Sequence, residues 1–236
     1  MKNERPFLSH LEELRKRLIL SSIFVVIGII ICSFFSNNIF QFLKKPYKQK
    51  LIFISPSEAF FVYLKVVIIS GIILALPFIS YELWSFVKAA LKKKEREIII
   101  FYFPFSIVLF FAGVGFFYFI ALKFSLRFLL GFGKEVFKPM ISANSYISFV
   151  SMLMLIFGIL FELPLVSFSL TKLGIISPDF LKRKRKSAIV IIFVCAAILT
   201  PPDVYTQFLL AGPLILLYEI TIIVSKIALL GRKYRN

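Results

Sequence analysis

The chain is poor in the residues that build catalytic and metal centres. It contains one histidine, His10, and two cysteines, Cys32 and Cys195, and both cysteines lie within apolar stretches. Such isolated residues supply neither the ligand spacing of a metal site nor a disulfide framework, so we expect the two thiols to be packing residues. No HExxH motif occurs, and no GxSxG motif or pair of aspartates lies in an apolar span. The sequence therefore predicts neither an enzyme nor a bound cofactor.

Acidic residues are also scarce, with 12 against 29 basic residues and a formal net charge of +17. A charge this positive suits nucleic acid as a partner. The positions of the cations along the chain decide between that partner and a role in membrane topology. Most of them fall in segments that would lie inside if the chain crossed a membrane six times from an inside N-terminus, although the first outer loop is rich in lysine. This bias follows the positive-inside rule, so we expect the cations to set topology and to contact anionic lipid, with no nucleic acid partner.

Charge is absent from four long stretches, 18–43, 66–81, 98–122 and 139–161. Several exceed the roughly 20 residues that span a bilayer. No small-residue cleavage site follows the first stretch, so we expect that helix to be retained. We predict an all-α, multi-pass membrane protein with both termini in the cytoplasm and one domain over 1–236. The six predicted spans are approximately 18–36, 62–88, 98–122, 147–171, 187–200 and 206–225.

Turn and cap residues predict where several helices begin, bend and approach one another. Ser9 with Glu12 has the spacing of a capping box. Ser55, Pro56, Ser57 and Glu58 have the pattern of an N-cap, a first-turn proline and a first-turn acid, and Ile39 to Leu43 predict a short amphipathic piece. The second outer loop is predicted over 123–146. Positions expected to bend a helix or let two helices approach closely are Pro77, Gly113 and Gly115.

Glu162 stands in the apolar setting FGILFELPLV, at membrane depth in the fourth predicted span. A carboxyl group at that depth is costly and normally faces a cavity or a partner. The alternative is a protonated glutamate satisfied inside the helix bundle. Pro164 leaves the carbonyl of Leu160 without its helical donor and should bend the helix there.

The fifth and sixth spans are predicted to be short. From Ser187 only about thirteen residues, roughly 20 Å of helix, pass before the sequence TPPD, whereas a bilayer core is about 30 Å thick. Helix six rises from Thr206, and Glu219 follows at about the same distance. We expect a hairpin that underspans the bilayer, with Glu219 near the inner surface and local thinning around it.

The N-terminal helix, FLSHLEELRKRL at 7–18, sets a stripe of leucines against a charged face. Glu13 has two interpretations. It could pair with Arg17 one helical turn away, which would make this a solvated anchor helix. It could instead join Glu95 as an inner carboxylate beside a basic rim, an arrangement that suggests a docking site for a short cationic peptide.

Three motifs, SHLEELRKRL, FELPL and LTPPD followed by Gln207, resemble those of the TatC family, a subunit of the twin-arginine protein translocase. They occur in the family's order and spacing, and the six spans fit its architecture, which has a concave face. The resemblance implies a receptor in the cytoplasmic (inner) membrane that recognises the paired arginines in signal peptides of folded proteins. It also implies a homo- or hetero-oligomer that recruits the single-span subunits TatA and TatB for transport driven by the proton-motive force.

The resemblance also implies roles for individual residues. Two acids, a basic residue and an aromatic residue would form the signal-peptide site, namely Glu13, Glu95, Arg15 and Phe86. Four polar residues in or beside the spans would contact partner subunits or line the concave face, namely Glu162, Gln207, Asp203 and Tyr118.

Two alternatives from other functional classes remain open on the residues alone. Glu162 could be the proton site of a proton-coupled small-solute transporter, in which case the purified chain would move a solute by itself. A membrane-bound enzyme is the third hypothesis, and the lack of catalytic motifs argues against it.

Overall fold

The structure is a computed structural model that describes residues 5–89, 93–131, 140–199 and 204–233, with side chains for 12–83, 85, 103–127, 130–131, 140–197, 204–205 and 207–230. Within these ranges the regular secondary structure is helical, with turns and coil between the helices and one isolated bridge between Ile52 and Ser142, which confirms the all-α prediction. The elements are α1 (Arg5–Phe34), α2 (Ser36–Lys44), α3 (Glu58–Ala89), α4 (Lys93–Phe116), a π-helical turn (Phe117–Ala121), α5 (Leu122–Gly131), α6 (Ala143–Phe161), α7 (Leu163–Lys172), α8 (Pro178–Arg183), α9 (Arg185–Leu199) and α10 (Val204–Lys233).

Five segments of the described residues are long and apolar enough to cross a membrane. They are Glu12–Phe34, Glu58–Leu83, Phe103–Arg127, Ala143–Lys172 and Gln207–Leu230. The fifth predicted span, 187–200, is not among these five segments and corresponds to α9, which has 15 residues. At 1.5 Å per residue α9 is about 22 Å long, shorter than a bilayer core. The fifth crossing through α9, the underspanning of helices five and six, and the orientation of the termini stay predictions.

The surface of α1 is apolar along much of its length. Leu18, Ile23 and Ile30 are 57%, 47% and 52% exposed. Contiguous apolar surface of this extent is rare on soluble proteins and is typical of a helix that faces lipid.

The contacts divide the chain into two compact units, Met1–Ile107 with Met140–Ser151, and Val108–Pro139 with Met152–Asn236. In the first unit α1 and α3 pack antiparallel, backbone against backbone. A Cβ atom added at Gly28 would lie 2.5 Å from the carbonyl oxygen of Gly71, and the rings of Phe24 and Phe78 stack 4.7 Å apart at the same interface. Two glycines therefore set the spacing and register of these helices.

In the second unit α4 packs against α6 through glycines and aromatic rings. A Cβ atom at Gly113 would collide with the carbonyl oxygen of Phe157, which confirms the close approach predicted there. The expectation for Gly115 is wrong, because an added Cβ would meet only Phe119, at an ordinary 3.9 Å. Further along, α7 is joined to α10 by a 2.6 Å hydrogen bond between the hydroxyl groups of Thr171 and Ser225.

Several predicted helix ends are wrong. The chain is already helical at Arg5, so Ser9 lies inside helix α1 and is not its N-cap. Helix α3 begins at Glu58 rather than at Pro56, because residues 55–57 form a turn that the Glu58 N–H closes on the Ser55 carbonyl oxygen at 3.0 Å.

The predicted outer loop 123–146 is partly helical. Helix α5 continues to Gly131 and α6 already begins at Ala143. Leu122 and Leu126, one helical turn apart, are buried, so the apolar packing of the third span extends past Lys123.

Other local predictions are confirmed. The amphipathic piece after the first span is α2, Ser36–Lys44. The helix breaks at Glu162, whose N–H donates to the Ile159 carbonyl oxygen at 3.1 Å, and Pro164 stands in the first turn of α7. Of the two thiols, Cys32 is buried as expected, whereas the packing role predicted for Cys195 is wrong because its side chain is exposed on α9.

Candidate functional site

Three charged side chains meet where α1 packs against α3. Arg17 donates from Nη2 and Nε to Oε1 of Glu13, at 2.7 and 3.2 Å, and from Nη1 to Oε2 of Glu82, at 3.0 Å. Glu13 and Arg17 are neighbours because they are one helical turn apart. Glu82 is 65 residues from Arg17 in sequence and reaches it through the antiparallel packing of α1 and α3.

The cluster opens into a cavity of about 540 Å³. Besides the three clustered residues, its lining includes the charged side chains of Glu12 and Lys16 and the side chains of Leu20, Tyr81 and Ser85. Three carboxylates face two cations there, so the lining carries a net negative charge although the whole chain is strongly basic. The side chains of Arg17, Glu13 and Glu82 are 22%, 29% and 10% exposed, so Glu82 is the deepest of the three.

This arrangement can bind a guanidinium group, since Glu13 and Glu82 already do so. Arginine presents planar donors that suit a carboxylate better than the point charge of lysine does. Within the described residues, each carboxylate uses one oxygen on Arg17, which leaves Oε2 of Glu13 and Oε1 of Glu82 as acceptors for another donor. The site is partly exposed, so solvent screens each ion pair and a ligand must make other contacts as well.

The predicted pairing of Glu13 with Arg17 is confirmed. Arg15 is exposed on the same helix. The side chains of Glu95 and Phe86 lie outside the described residues, so their predicted roles stay predictions. Sequence reasoning missed the part played by Glu82, although its position offered a signal: it is the first charge after the uncharged stretch 66–81.

The polar residues predicted for partner contact that the structure describes belong to the second unit, and Asp203 lies outside the described residues. Gln207 on α10 donates from Nε2 to the Phe193 carbonyl oxygen of α9, at 2.9 Å. Tyr118 is buried in the π-helical turn and Glu162 is half-buried at the break after α6. Gln207 thus joins α9 to α10, whereas Tyr118 and Glu162 belong to the α4 and α6 region.

A second Arg–Glu pair lies near the other end of the α9–α10 pairing. Nη2 of Arg185 donates to Oε2 of Glu219 at 2.5 Å, and the Tyr218 hydroxyl donates to the Leu181 carbonyl oxygen at 2.8 Å. Both partners of the ion pair are more than a third exposed, so it contributes little to stability. Within the part of the chain that the structure describes, no group of three or more His, Cys, Asp or Glu residues could hold a metal ion.

Comparisons with known proteins point to one family. A family model described as TatC, Sec-independent protein translocase protein, matches residues 9–213. The TatC protein of Carboxydothermus hydrogenoformans is 46% identical over 221 residues, which are 92% of this chain and 91% of that protein. The TatC protein of Aquifex aeolicus is 43% identical over 235 residues, 97% and 98% of the two chains. A crystal structure of the twin arginine translocase receptor TatC matches with a TM-score of 0.84 and 44% identity, covering 93% of this chain and 99% of that one.

The matched family is a protein translocase component and not an enzyme. The two alternative functions, a small-solute transporter and a membrane-bound enzyme, therefore lose their support.

Proposed function

Because the chain belongs to the TatC family of Sec-independent protein translocase proteins, we propose that it is the receptor for twin-arginine signal peptides at the cytoplasmic face of the inner membrane. The observation that supports this is the cavity between α1 and α3. Its Glu13 carboxylate is accessible, lies in a net negative lining and already accepts a guanidinium group.

In this proposal Glu13 and Glu95 accept the two adjacent arginines of the peptide. Two separated carboxylates discriminate a pair of guanidinium groups from a pair of ammonium groups, because only arginine donates two parallel hydrogen bonds. Arg15 and Phe86 complete the surface that holds the peptide. Each charge-assisted bond contributes about 1.5 to 3 kcal/mol at best, so the apolar segment of the signal peptide must also bind.

The second part of the proposal concerns partner subunits. The single-span proteins TatA and TatB would contact Glu162, Gln207, Asp203 and Tyr118, and transport of the folded cargo would use the proton-motive force. A carboxyl group at membrane depth favours a polar partner helix, which supports this role for Glu162. Gln207 is half-buried, and its amide oxygen has no partner among the described residues, so it can accept a hydrogen bond from an incoming helix.

The third part concerns topology. We propose six crossings with both termini in the cytoplasm, the fifth being the short helix α9. Spin labels at the exposed positions Ala197 and Phe208 would then report polar surroundings, whereas a label at Val108, exposed on α4, would report a lipid-core position. Lipid-core depths at both Ala197 and Phe208 would contradict a short fifth crossing.

The signal-peptide site is tested by binding. The full chain in lipid nanodiscs should bind a synthetic twin-arginine signal peptide, and Glu13→Gln or Glu95→Gln should each weaken the affinity about tenfold. Glu219→Gln is the matched control, because it removes one carboxylate from an Arg–Glu pair in the second unit. Wild-type affinity in the Glu13→Lys, Glu95→Lys double variant would contradict the assignment.

A further inference from the structure

Arg17 occupies the carboxylate that the proposed function assigns to a peptide arginine. Its Nη2 and Nε atoms both donate to Oε1 of Glu13, which leaves only Oε2 unused. A peptide guanidinium that pairs with both oxygens of Glu13 must therefore displace Arg17. The competition is local and permanent, because Arg17 is only one helical turn from Glu13.

Glu82 offers Arg17 a second acceptor. The Nη1 contact to Oε2 of Glu82, at 3.0 Å, does not involve Glu13 and can persist when the Glu13 contact is broken. With its side chain 10% exposed, Glu82 is also less screened by water than Glu13, whose side chain is 29% exposed. An arginine released from Glu13 therefore keeps a carboxylate partner and does not become an unpaired, partly buried charge.

We propose that Arg17 is an internal stand-in for a peptide arginine, and that Glu82 is the positioning residue that retains Arg17 when a peptide takes its place on Glu13. The inference rests on the proposed function and deepens it. Glu82 acts through Arg17 and does not contact the peptide. Its effect is to lower the cost of displacing Arg17, and so to set the affinity threshold that a signal peptide must exceed.

The replacement of Arg17 by a peptide arginine on Glu13 has a measurable consequence. Displacing Arg17 is a step of the receptor alone, so its free energy is the same for every peptide that uses Glu13. Removing Arg17 should raise the affinity of a twin-arginine peptide and of its twin-lysine counterpart by the same factor, leaving their ratio unchanged. A residue that reads the peptide directly would change that ratio, because arginine and lysine bind carboxylates differently.

The test measures dissociation constants of both peptides for the full chain in lipid nanodiscs. We expect Arg17→Gln to tighten binding of both about three- to tenfold, and Glu82→Gln to weaken both by a similar factor. In the Arg17→Gln background, Glu82→Gln should change the dissociation constants no more than Glu12→Gln does. Glu12 and Lys16 line the same cavity without pairing to Arg17, so Glu12→Gln and Lys16→Gln control for charge alone.

Three outcomes would overturn the inference. They are an unchanged affinity in Arg17→Gln, an effect of Glu82→Gln that persists in the Arg17→Gln background, and a changed ratio between the two peptides in either variant. If Arg17→Gln does not fold, Arg17→Lys keeps the positive charge and should tighten binding less, but still equally for both peptides. If the proposed receptor function itself is wrong, the result is different: the wild-type chain would show no preference for the twin-arginine peptide over the twin-lysine peptide.

Discussion

The two ends of α3 carry glutamates of nearly equal burial with opposite kinds of partner. Glu58 is 9% exposed and accepts backbone N–H groups from Ile54, at 2.6 Å, and from Asn144, at 2.9 Å. Glu82, about 36 Å further along the helix, is 8% exposed as a whole residue, against 10% for its side chain alone, and pairs with the Arg17 side chain. Residue type, helix and burial are alike, so the partner is what differs.

The partner decides what each carboxylate can do. Backbone amides move only when the chain around them unfolds, so Glu58 is a structural cap that ties the loop before α3 to the start of α6. A side-chain partner can rotate away while the fold stays intact. Burial alone therefore does not separate a structural acid from a binding acid; the mobility of the donor does.

The largest expected effect comes from removing the fixed acid. Glu58→Ala leaves the amides of Ile54 and Asn144 without their acceptor, and should lower the apparent Tm of the purified protein by roughly 5 to 10 °C. Peptide affinity of the folded fraction should be unchanged. Asp179→Ala, which removes an exposed carboxylate paired to Lys182 at 3.6 Å, is the control and should leave Tm unchanged. An equal fall in Tm for Glu58→Ala and Asp179→Ala would show that Glu58 is no more structural than an exposed acid.

The next effect comes from the helix contact that sets the register of the Glu82 end. In Gly71→Ala the new Cβ would lie 2.6 Å from the backbone nitrogen of Ile29, so α1 and α3 must separate, at a cost of about 1 to 3 kcal/mol. Peptide affinity should fall as well, because Glu13 and Glu82 stand on the two separated helices. In Gly131→Ala, at the end of α5, the Cβ meets nothing within 4 Å, so Tm should hold or rise slightly. Normal peptide binding by Gly71→Ala would show that the register does not matter.

A third carboxylate, Glu162, tests whether structural and binding acids can also be told apart within a membrane span. Glu162→Gln keeps hydrogen-bonding capacity and should largely preserve assembly with single-span partners, whereas Glu162→Ala should reduce it several-fold. Co-purification of tagged partner subunits measures both. Equal loss of transport in the two variants, with assembly untouched, would instead favour a role that needs the proton itself.

The smallest expected effect is that of Glu82→Gln on stability. Because the pair with Arg17 is partly exposed and both helices stay packed through Gly28 and Gly71, we expect a loss under about 1 kcal/mol. Thermal unfolding of Glu82→Gln and Glu58→Ala under the same conditions compares the two losses of stability directly. A loss as large as that of Glu58→Ala would mean that Glu82 is a structural acid too.

The helical, membrane-spanning character could be predicted from composition and run length alone. The amphipathic α2, the break at Glu162 and the close approach at Gly113 also followed from local rules, since each depends on a few neighbouring residues. The extension of α5 to Gly131 did not, because the burial that favours it comes from packing on other helices.

Only one of the two ion pairs in the candidate site could be predicted from the sequence. The Glu13–Arg17 contact follows from helical spacing, but the contact to Glu82 depends on the register of α1 against α3. That register is set by Gly28 facing Gly71, and one sequence does not say which glycines face each other. The sequence predicts Glu58 as a first-turn acid of α3, which is confirmed, but its donors from the preceding loop and from α6 do not follow from local spacing.

The most direct test of the receptor account is to map where the paired arginines of a signal peptide bind. A photo-crosslinking residue placed next to the two arginines should label the cavity beside Glu82, at Leu20 and Ser85, and excess unlabelled peptide should abolish the adducts. Ser55 and Ser145 line a second cavity, of about 760 Å³, at the Glu58 end of α3. Adducts at Ser55 and Ser145, with none at Leu20 or Ser85, would contradict the account.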